Sequence, residues 1–224
     1  LFGFAFMALA TVFSTYGIAS QISHGMVAGS YILALIVMLF TAYSYGQMAK
    51  AYPVSGSAYT YAQKAIHPQV GFLVGWAILM DYIFIPMVNY LLFGIFFSAA
   101  IPEVPAYVWI LLLLTIVTFI NIKGVKLAAS TNVIIIGFSL LFIIVFAVLS
   151  IKSIMQGEGT GMLLNIEPFF QTNESFTYIV AGAALLCFSF LGFDSVSTFS
   201  EETVNPERNI PRAIFIITLI GGLI

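Results

Sequence analysis

Long runs of apolar residues, separated by short polar stretches, dominate the chain. Runs of about 20 residues are long enough to cross the hydrocarbon core of a bilayer as helices. They predict six membrane spans and the start of a seventh, at residues 2–22, 27–49, 70–98, 106–121, 128–151, 176–200 and from about 213. Backbone groups in hydrocarbon have no water to bond and the runs exceed barrel-strand length, so an all-α polytopic membrane protein is predicted.

The composition supports this class. Hydrophobic residues make up 61% of the 224 residues and charged residues 7%, whereas an ordinary soluble domain has roughly 25% charged residues. The net charge of −2 and the single cysteine, Cys187, predict neither a nucleic-acid partner nor a disulfide scaffold. His24 and His67 are isolated loop histidines, expected to be solvated or packed, and no Cys and His set suits a metal.

We expect the protein in the cell membrane, that is, the inner or plasma membrane. Its basic residues predict its orientation there. Six of the seven Lys and Arg residues lie on one side, in the segments that follow spans two, four and six. The positive-inside rule places that side, and therefore the N-terminus, in the cytoplasm. Because the chain lacks an initial methionine and stops within an apolar run, we expect it to be part of a longer protein.

Two related octets lie near the middle of spans one and six, FSTYGIAS at 13–20 and FSFLGFDS at 188–195. Spans one and six run in opposite directions, so the repetition is typical of an inverted-topology repeat. One interpretation is structural, with Gly17 and Gly192 allowing close packing and the serines bonding within their own helices. The other is that both helices break and expose backbone groups to a polar ligand.

Asp81 and Asp194 lie inside predicted spans. A charge at the centre of a membrane helix costs roughly 2.5–3.5 kcal/mol, so each should be protonated, paired or facing a polar cavity. Their expected partner is a proton, a cationic ligand or a group outside the chain, and the alternative is a protonated structural carboxyl. Intramembrane aspartyl proteases also use two membrane aspartates, but on consecutive helices and with a Gly-x-Gly-Asp motif that is absent here.

A polar stretch, SEETVNPERNIPRAI, follows span six. Asn205-Pro206 is expected to end the helix. Glu201 and Glu202 are predicted to form a loop salt bridge with Arg208 and Arg212, and gating is an added role for these residues.

The sequences FLGFDSVSTFSEETVNPERNIPRAI and YPVSGSAYTYAQKA resemble the amino acid-polyamine-organocation superfamily of permeases, of the putrescine-importer type. The resemblance covers essentially the whole chain. It implies a secondary active transporter of about twelve helices, built from two inverted five-helix repeats. Residues 1–151 would form the first repeat, 152–175 an extracytoplasmic loop and 176–224 the start of the second repeat.

The resemblance also implies a substrate site between helices one and six. In the family, amides of the first break bind a substrate carboxylate, while carbonyl groups of the second break bind its ammonium group. A phenylalanine of helix six would cover the ammonium group by a cation–π contact. The implied site residues are Ser14, Thr15, Tyr16 and Gly17 of helix one and Phe188, Ser189, Phe190, Gly192 and Asp194 of helix six.

The first octet departs from the family pattern in two places. Amino-acid members read Gly-Ser/Thr-Gly where this chain reads Thr15-Tyr16-Gly17, which restricts the backbone, narrows the approach of a ligand carboxylate and leaves room for an amine. Putrescine-importer-like sequences have an acid where Ser14 stands, which argues against a diamine. The predicted substrate is therefore a small amino acid or a polyamine, with a putrescine-specific importer as the alternative.

No cofactor is predicted. A proton carried by Asp81 or Asp194 is the expected coupling ion, and sodium remains open. The only other partner expected is the lipid bilayer, and the oligomeric state is not indicated.

Overall fold

The computed structural model describes residue 7, residues 11–157 and residues 165–223, and the regular elements in these ranges are helical. The α-helices are α1 (Thr11–Ile22), α2 (Val27–Ala51), α3 (Ser57–Ala65), α4 (Pro68–Ala100), α5 (Ala106–Ile122), α6 (Val125–Met155), α7 (Phe176–Leu186) and α8 (Pro206–Leu223). Two 3-10 helices separate α7 from α8, the first at Cys187–Phe190 and the second at Phe193–Glu202. The predicted all-α class is confirmed.

Four helical segments are long and apolar enough to cross a membrane, namely Val27–Ala51, Pro68–Ala100, Ser130–Met155 and Phe176–Glu202. The predicted start of the seventh helix near residue 213 is too late, because α8 begins at Pro206. Proline suits a first helical position, where its fixed φ fits and its missing N–H is not needed. An apolar window detects only the later, hydrophobic part of such a helix.

The chain folds as two compact units, residues 1–57 with 133–224 and residues 58–132. In the first unit α2 packs along both α8 and α7. Gly46 of α2 lies against Pro211 of α8, where an added Cβ would be 3.3 Å from the proline Cβ. Small residues allow such close approach between membrane helices. Other buried residues of these two helices are Ala34, Ala42 and Ala49 of α2 and Ile210, Ile214 and Ile217 of α8.

The α1–α2 turn and α2 both meet α7 at Gly182. A Cβ at Gly182 would lie 2.5 Å from Ser30 Oγ and 3.0 Å from Ser23 Cβ. The Ser30 hydroxyl donates to the carbonyl oxygens of Met26 and Ile179, at 3.1 Å each. The absence of a side chain at residue 182 is therefore what lets these elements cross.

In the second unit α4 packs against both α3 and α5. Gly75 of α4 accommodates the Tyr59 ring, whose Cδ2 would lie 2.8 Å from an added Cβ, and Gly94 accommodates Ile110 in the same way at 2.6 Å. Asp81 is exposed on α4.

α6 continues to Met155, so the first four residues of the predicted extracytoplasmic loop at 152–175 are helical. The helix extends beyond its apolar run and includes Lys152 in its last turn. A basic side chain is favourable there because it interacts with the helix dipole. Residues 158–164 lie outside the described residues. The division into two sequence repeats stays a prediction.

Candidate functional site

The chain after α7 does not continue as an α-helix. Beyond the first 3-10 helix, Leu191 is extended, with φ −55° and ψ 140°. Gly192 then adopts a left-handed conformation, with φ 95° and ψ −7°. Glycine reaches this region without the steric cost that a Cβ imposes. Span six is therefore broken, as predicted, at Leu191 and Gly192.

Hydroxyl side chains favour the 3-10 conformation beyond the break. Ser197 Oγ donates to the Asp194 carbonyl at 2.7 Å, and Ser200 Oγ donates to the Ser197 carbonyl at 2.6 Å. Thr198 bonds the Ser195 carbonyl in the same way at 2.7 Å. Such bonds offer carbonyl groups a partner other than the α-helical N–H. The second 3-10 helix runs for ten residues, and stretches beyond about four residues often mark a hinge or functional segment.

The first octet contains no break. α1 is continuous from Thr11 to Ile22, so the prediction of a break at Ser14, Thr15, Tyr16 and Gly17 is wrong. The hydroxyls of Ser14 and Thr15 both donate to the Thr11 carbonyl, at 2.8 and 3.1 Å. Without the first glycine of the family pattern, the non-glycine residues at 15 and 16 favour ordinary helical backbone.

One contact nevertheless joins the two octets. Thr15 Oγ1 and Ser189 Oγ lie 3.2 Å apart, and both residues are partly buried. Beside this contact Tyr16 is 55% exposed. A Cβ on Gly17 would meet no described residue within 4 Å, so Gly17 does not serve close packing here. The structure thus places an open face of α1 next to the first 3-10 helix.

The structure distinguishes the two phenylalanines of the second octet. Phe190 is only 2% exposed, and its ring would lie 2.8 Å from a Cβ on Gly222 of α8. Phe188 is 59% exposed. Phe190 is therefore part of the core, whereas Phe188 is exposed.

Asp194 is partly buried in the first turn of the second 3-10 helix. A carboxylate near a helix N-terminus is stabilised by the N–H groups there, which gives Asp194 a structural role beside any functional one. Asp81 belongs to the other compact unit. Within the described ranges, no group of three or more His, Cys, Asp or Glu side chains could hold a metal ion.

Glu201 bonds a serine rather than an arginine. The Ser55 N–H donates to Glu201 Oε1 and the Glu201 N–H donates to Ser55 Oγ, both at 3.4 Å. The described side chains of Glu201, Glu202, Arg208 and Arg212 form no salt bridge with one another, so the predicted loop salt bridge is not made. Since α8 begins at Pro206, both arginines lie exposed on a helix rather than in a loop.

Sequence reasoning missed a contact at the start of α7. His24 Nδ1 lies 3.1 Å from Glu174 Oε2, and its ring stacks on Tyr178 at 3.9 Å. His24 and Glu174 are 150 residues apart, so no local pattern could indicate the pair.

Residues 5–224 match the model of a family described as amino acid permease. The chain belongs to the amino acid permease family. It is 44% identical, over all 224 of its residues and 50% of the relative, to the low-affinity putrescine importer PlaP of Escherichia coli (strain K12). It is 26% identical to the branched-chain amino acid permease BcaP of Bacillus subtilis (strain 168), over 85% of this chain and 43% of that protein. It is 28% identical to the methylthioribose transporter of the same bacterium, over 83% of this chain and 42% of that protein.

The chain spans about half the length, or less, of these curated relatives. No solved structure matches it. The family match confirms the predicted superfamily and favours a permease over an aspartyl protease. Together with the long apolar helices, it identifies the chain as part of an integral, multi-pass membrane protein.

Proposed function

We propose that the full-length protein is a secondary active transporter that imports an amino acid or a polyamine by alternating access. The observation that carries this proposal is the Thr15–Ser189 contact, which joins α1 to a broken membrane segment in a chain of the permease family. Substrate binds beside that contact. Carbonyl groups at the break accept hydrogen bonds from an ammonium group, and Phe188 covers it by a cation–π contact worth roughly 0.5–2 kcal/mol.

A putrescine-like diamine is the second, narrower candidate. The identity of 44% with the E. coli putrescine importer extends over the whole chain. The backbone of α1 also favours a substrate without a carboxylate, because residues 15–17 lie within a continuous helix rather than at a break with exposed amides. In a diamine complex, we assign the second ammonium group to the carboxylate of Asp194.

Uptake by the full-length protein in proteoliposomes tests the proposal. With imposed proton or sodium gradients, we expect accumulation of labelled putrescine or of one amino acid from a panel. Phe188→Ala should raise the KM for an amine substrate about three- to tenfold through loss of the cation–π contact. Phe138→Ala is the matched control, because Phe138 is 70% exposed on α6. Absence of gradient-dependent accumulation of any of these solutes would refute the transporter proposal.

We further propose that protons drive uptake through Asp81 or Asp194. An ionised carboxyl within a membrane span is costly, so proton uptake and release there can be linked to transport. Asp81→Asn and Asp194→Asn should each be tested for uptake between pH 5.5 and 8.0, and at least one should flatten the pH profile. Glu207→Gln is the control, because Glu207 is exposed in the first turn of α8. Full uptake with an unchanged profile in both aspartate variants would contradict proton coupling.

The proposed location is the inner or plasma membrane, with the N-terminus in the cytoplasm, on the support of the basic-residue bias. In a Cys187→Ser background, Asn173→Cys should react with an impermeant maleimide on intact cells. Val54→Cys should react only after permeabilisation, and the reverse result would invert the orientation.

A further inference from the structure

The charged residues of α8 are confined to one end of the helix. Glu207, Arg208 and Arg212 lie within its first two turns, and residues 213–223 carry no charge. α8 is therefore polar where it begins and suited to hydrocarbon over the rest of its length.

The packing of α8 against α2 places this charged end at a membrane boundary. The two helices are antiparallel, because Gly46 lies against Pro211 whereas a Cβ on Gly222 would lie 2.5 Å from Leu35 Cδ1. α2 is long and apolar enough to cross a membrane, and its charged residue is Lys50 in the last turn. The start of α8 thus lies at the boundary where α2 ends.

The two arginines lie on the side of α8 opposite to its buried side. Successive residues of an α-helix are about 100° apart around its axis. The exposed Arg208 and Arg212 therefore share one side. The opposite side carries the buried residues of the helix, which are Ile210, Ile214, Ile217 and Thr218. Glu207 lies about two turns before Ile214 and so points towards that buried side, away from the arginines.

Large apolar side chains continue the arginine side of α8 into the membrane. They are exposed, and they are Phe215, Ile216, Ile220 and Leu223. Arg212 and Leu223 are eleven residues apart, which corresponds to about 16 Å at a rise of about 1.5 Å per residue. The hydrocarbon core is about 30 Å thick, so this apolar surface covers about the depth of one leaflet.

Both arginines have their donors available for an anion. Neither guanidinium group donates a hydrogen bond or forms an ion pair within residues 11–157 and 165–223. A guanidinium group binds a phosphate through two parallel N–H bonds. Arg208 and Arg212 are four residues apart, so their side chains are neighbours on the helix surface and can approach the same phosphate.

We propose that the arginine side of α8 binds an anionic phospholipid. Arg208 and Arg212 bind the phosphate of the headgroup, and the acyl chains lie along the apolar side chains that follow. A zwitterionic lipid binds less tightly, because its own ammonium group offsets the attraction between its phosphate and the two arginines. Lipid binding at this surface does not depend on the proposed transport function.

Native mass spectrometry of the full-length protein in detergent tests the proposal. Phosphatidylglycerol and phosphatidylcholine, both with oleoyl chains, are titrated separately, and an apparent Kd is measured for the first bound lipid. We expect phosphatidylglycerol to bind the wild type about tenfold more tightly than phosphatidylcholine. Arg208→Gln and Arg212→Gln should each weaken phosphatidylglycerol binding about fivefold, and the double variant about thirtyfold.

Lys64→Gln is the matched control, because Lys64 is exposed in the last turn of α3 and its loss removes the same charge from another surface. The control should bind phosphatidylglycerol as the wild type does. Equal Kd values for the two lipids, or equal weakening by Lys64→Gln and the double variant, would overturn the proposal.

Inorganic phosphate, added as a competitor, distinguishes a lipid site from a simple anion site. It should leave phosphatidylglycerol bound, because it cannot use the apolar surface, and full displacement by phosphate would overturn the assignment to a lipid. A wild-type protein that binds no phosphatidylglycerol would show that another part of the protein covers this side of α8, and would overturn the proposal as well.

Discussion

Replacing Gly192 with alanine is expected to lower the initial rate of uptake by at least about tenfold. Gly192 has a φ of 95° between the two 3-10 helices, and a Cβ in this region costs roughly 1–2 kcal/mol. The backbone relieves that strain by rotating towards a negative φ, which reorients the segment that begins at Phe193. Since Ser189 and Asp194 flank the break, the proposed site loses its geometry.

A substitution at a second left-handed glycine distinguishes the effect of backbone strain from the effect of changed site geometry. Gly124 has a φ of 105°, and a Cβ there would meet no described residue within 4 Å. Gly124→Ala should therefore destabilise the protein by a similar amount, about 1 kcal/mol, and leave uptake near the wild-type rate. Uptake of the two variants is compared in proteoliposomes with equal amounts of inserted protein. Equal loss of uptake in both would mean that Gly192 has no special role in the site.

Replacing Gly182 with alanine is expected to destabilise the full-length protein by about 2 kcal/mol. The new methyl group would lie 2.5 Å from Ser30 Oγ and 3.0 Å from Ser23 Cβ. Rotation of the Ser30 hydroxyl away from the methyl group would lose its bond to the Ile179 carbonyl. Ser23 Cβ and Ser30 Cβ, each at 3.0 Å, leave little other room. Thermal unfolding of the protein in detergent, followed by its intrinsic fluorescence, measures the effect as a Tm lowered by several degrees.

Gly137→Ala on α6 is the control for this loss. Gly137 is exposed, and an added Cβ would have no described residue within 4 Å. The substitution should leave the Tm unchanged or raise it slightly, because alanine is the better helix former. A Gly182→Ala variant that is as stable as Gly137→Ala would show that the helices can separate at Ser23 and Ser30 at little cost.

The length of the apolar runs was enough to predict the helical class and most helix positions. The hydrocarbon core of a bilayer has a fixed thickness, and backbone groups inside it must be hydrogen-bonded within the chain. The prediction from run length failed where a helix extends beyond its apolar run. α8 starts at Pro206, and the proline itself was the signal that could have located this start. α6 continues to Met155, past its apolar run.

The two octets show how far sequence likeness predicts backbone conformation. Only the second is broken, and the difference lies in the flanking residues. Gly192 is followed by hydroxyl residues at 197, 198 and 200, which donate to carbonyl groups of the 3-10 segment. Gly17 is followed by Ile18 and Ala19, which cannot compete for backbone groups in this way. The hydroxyl density was visible in the sequence, whereas the Thr15–Ser189 contact required the tertiary structure.

The second 3-10 helix is also longer than an α-helix with the same number of residues would be. Its ten residues span about 20 Å at the 3-10 rise of about 2.0 Å per residue, but would span about 15 Å at the α-helical rise of about 1.5 Å. A change of hydrogen-bond register along this segment would thus draw Glu201 about 5 Å towards Gly192 without bending the chain. Because Glu201 is bonded to Ser55, such a telescoping movement would either pull the α2–α3 connection along the axis or break that bond.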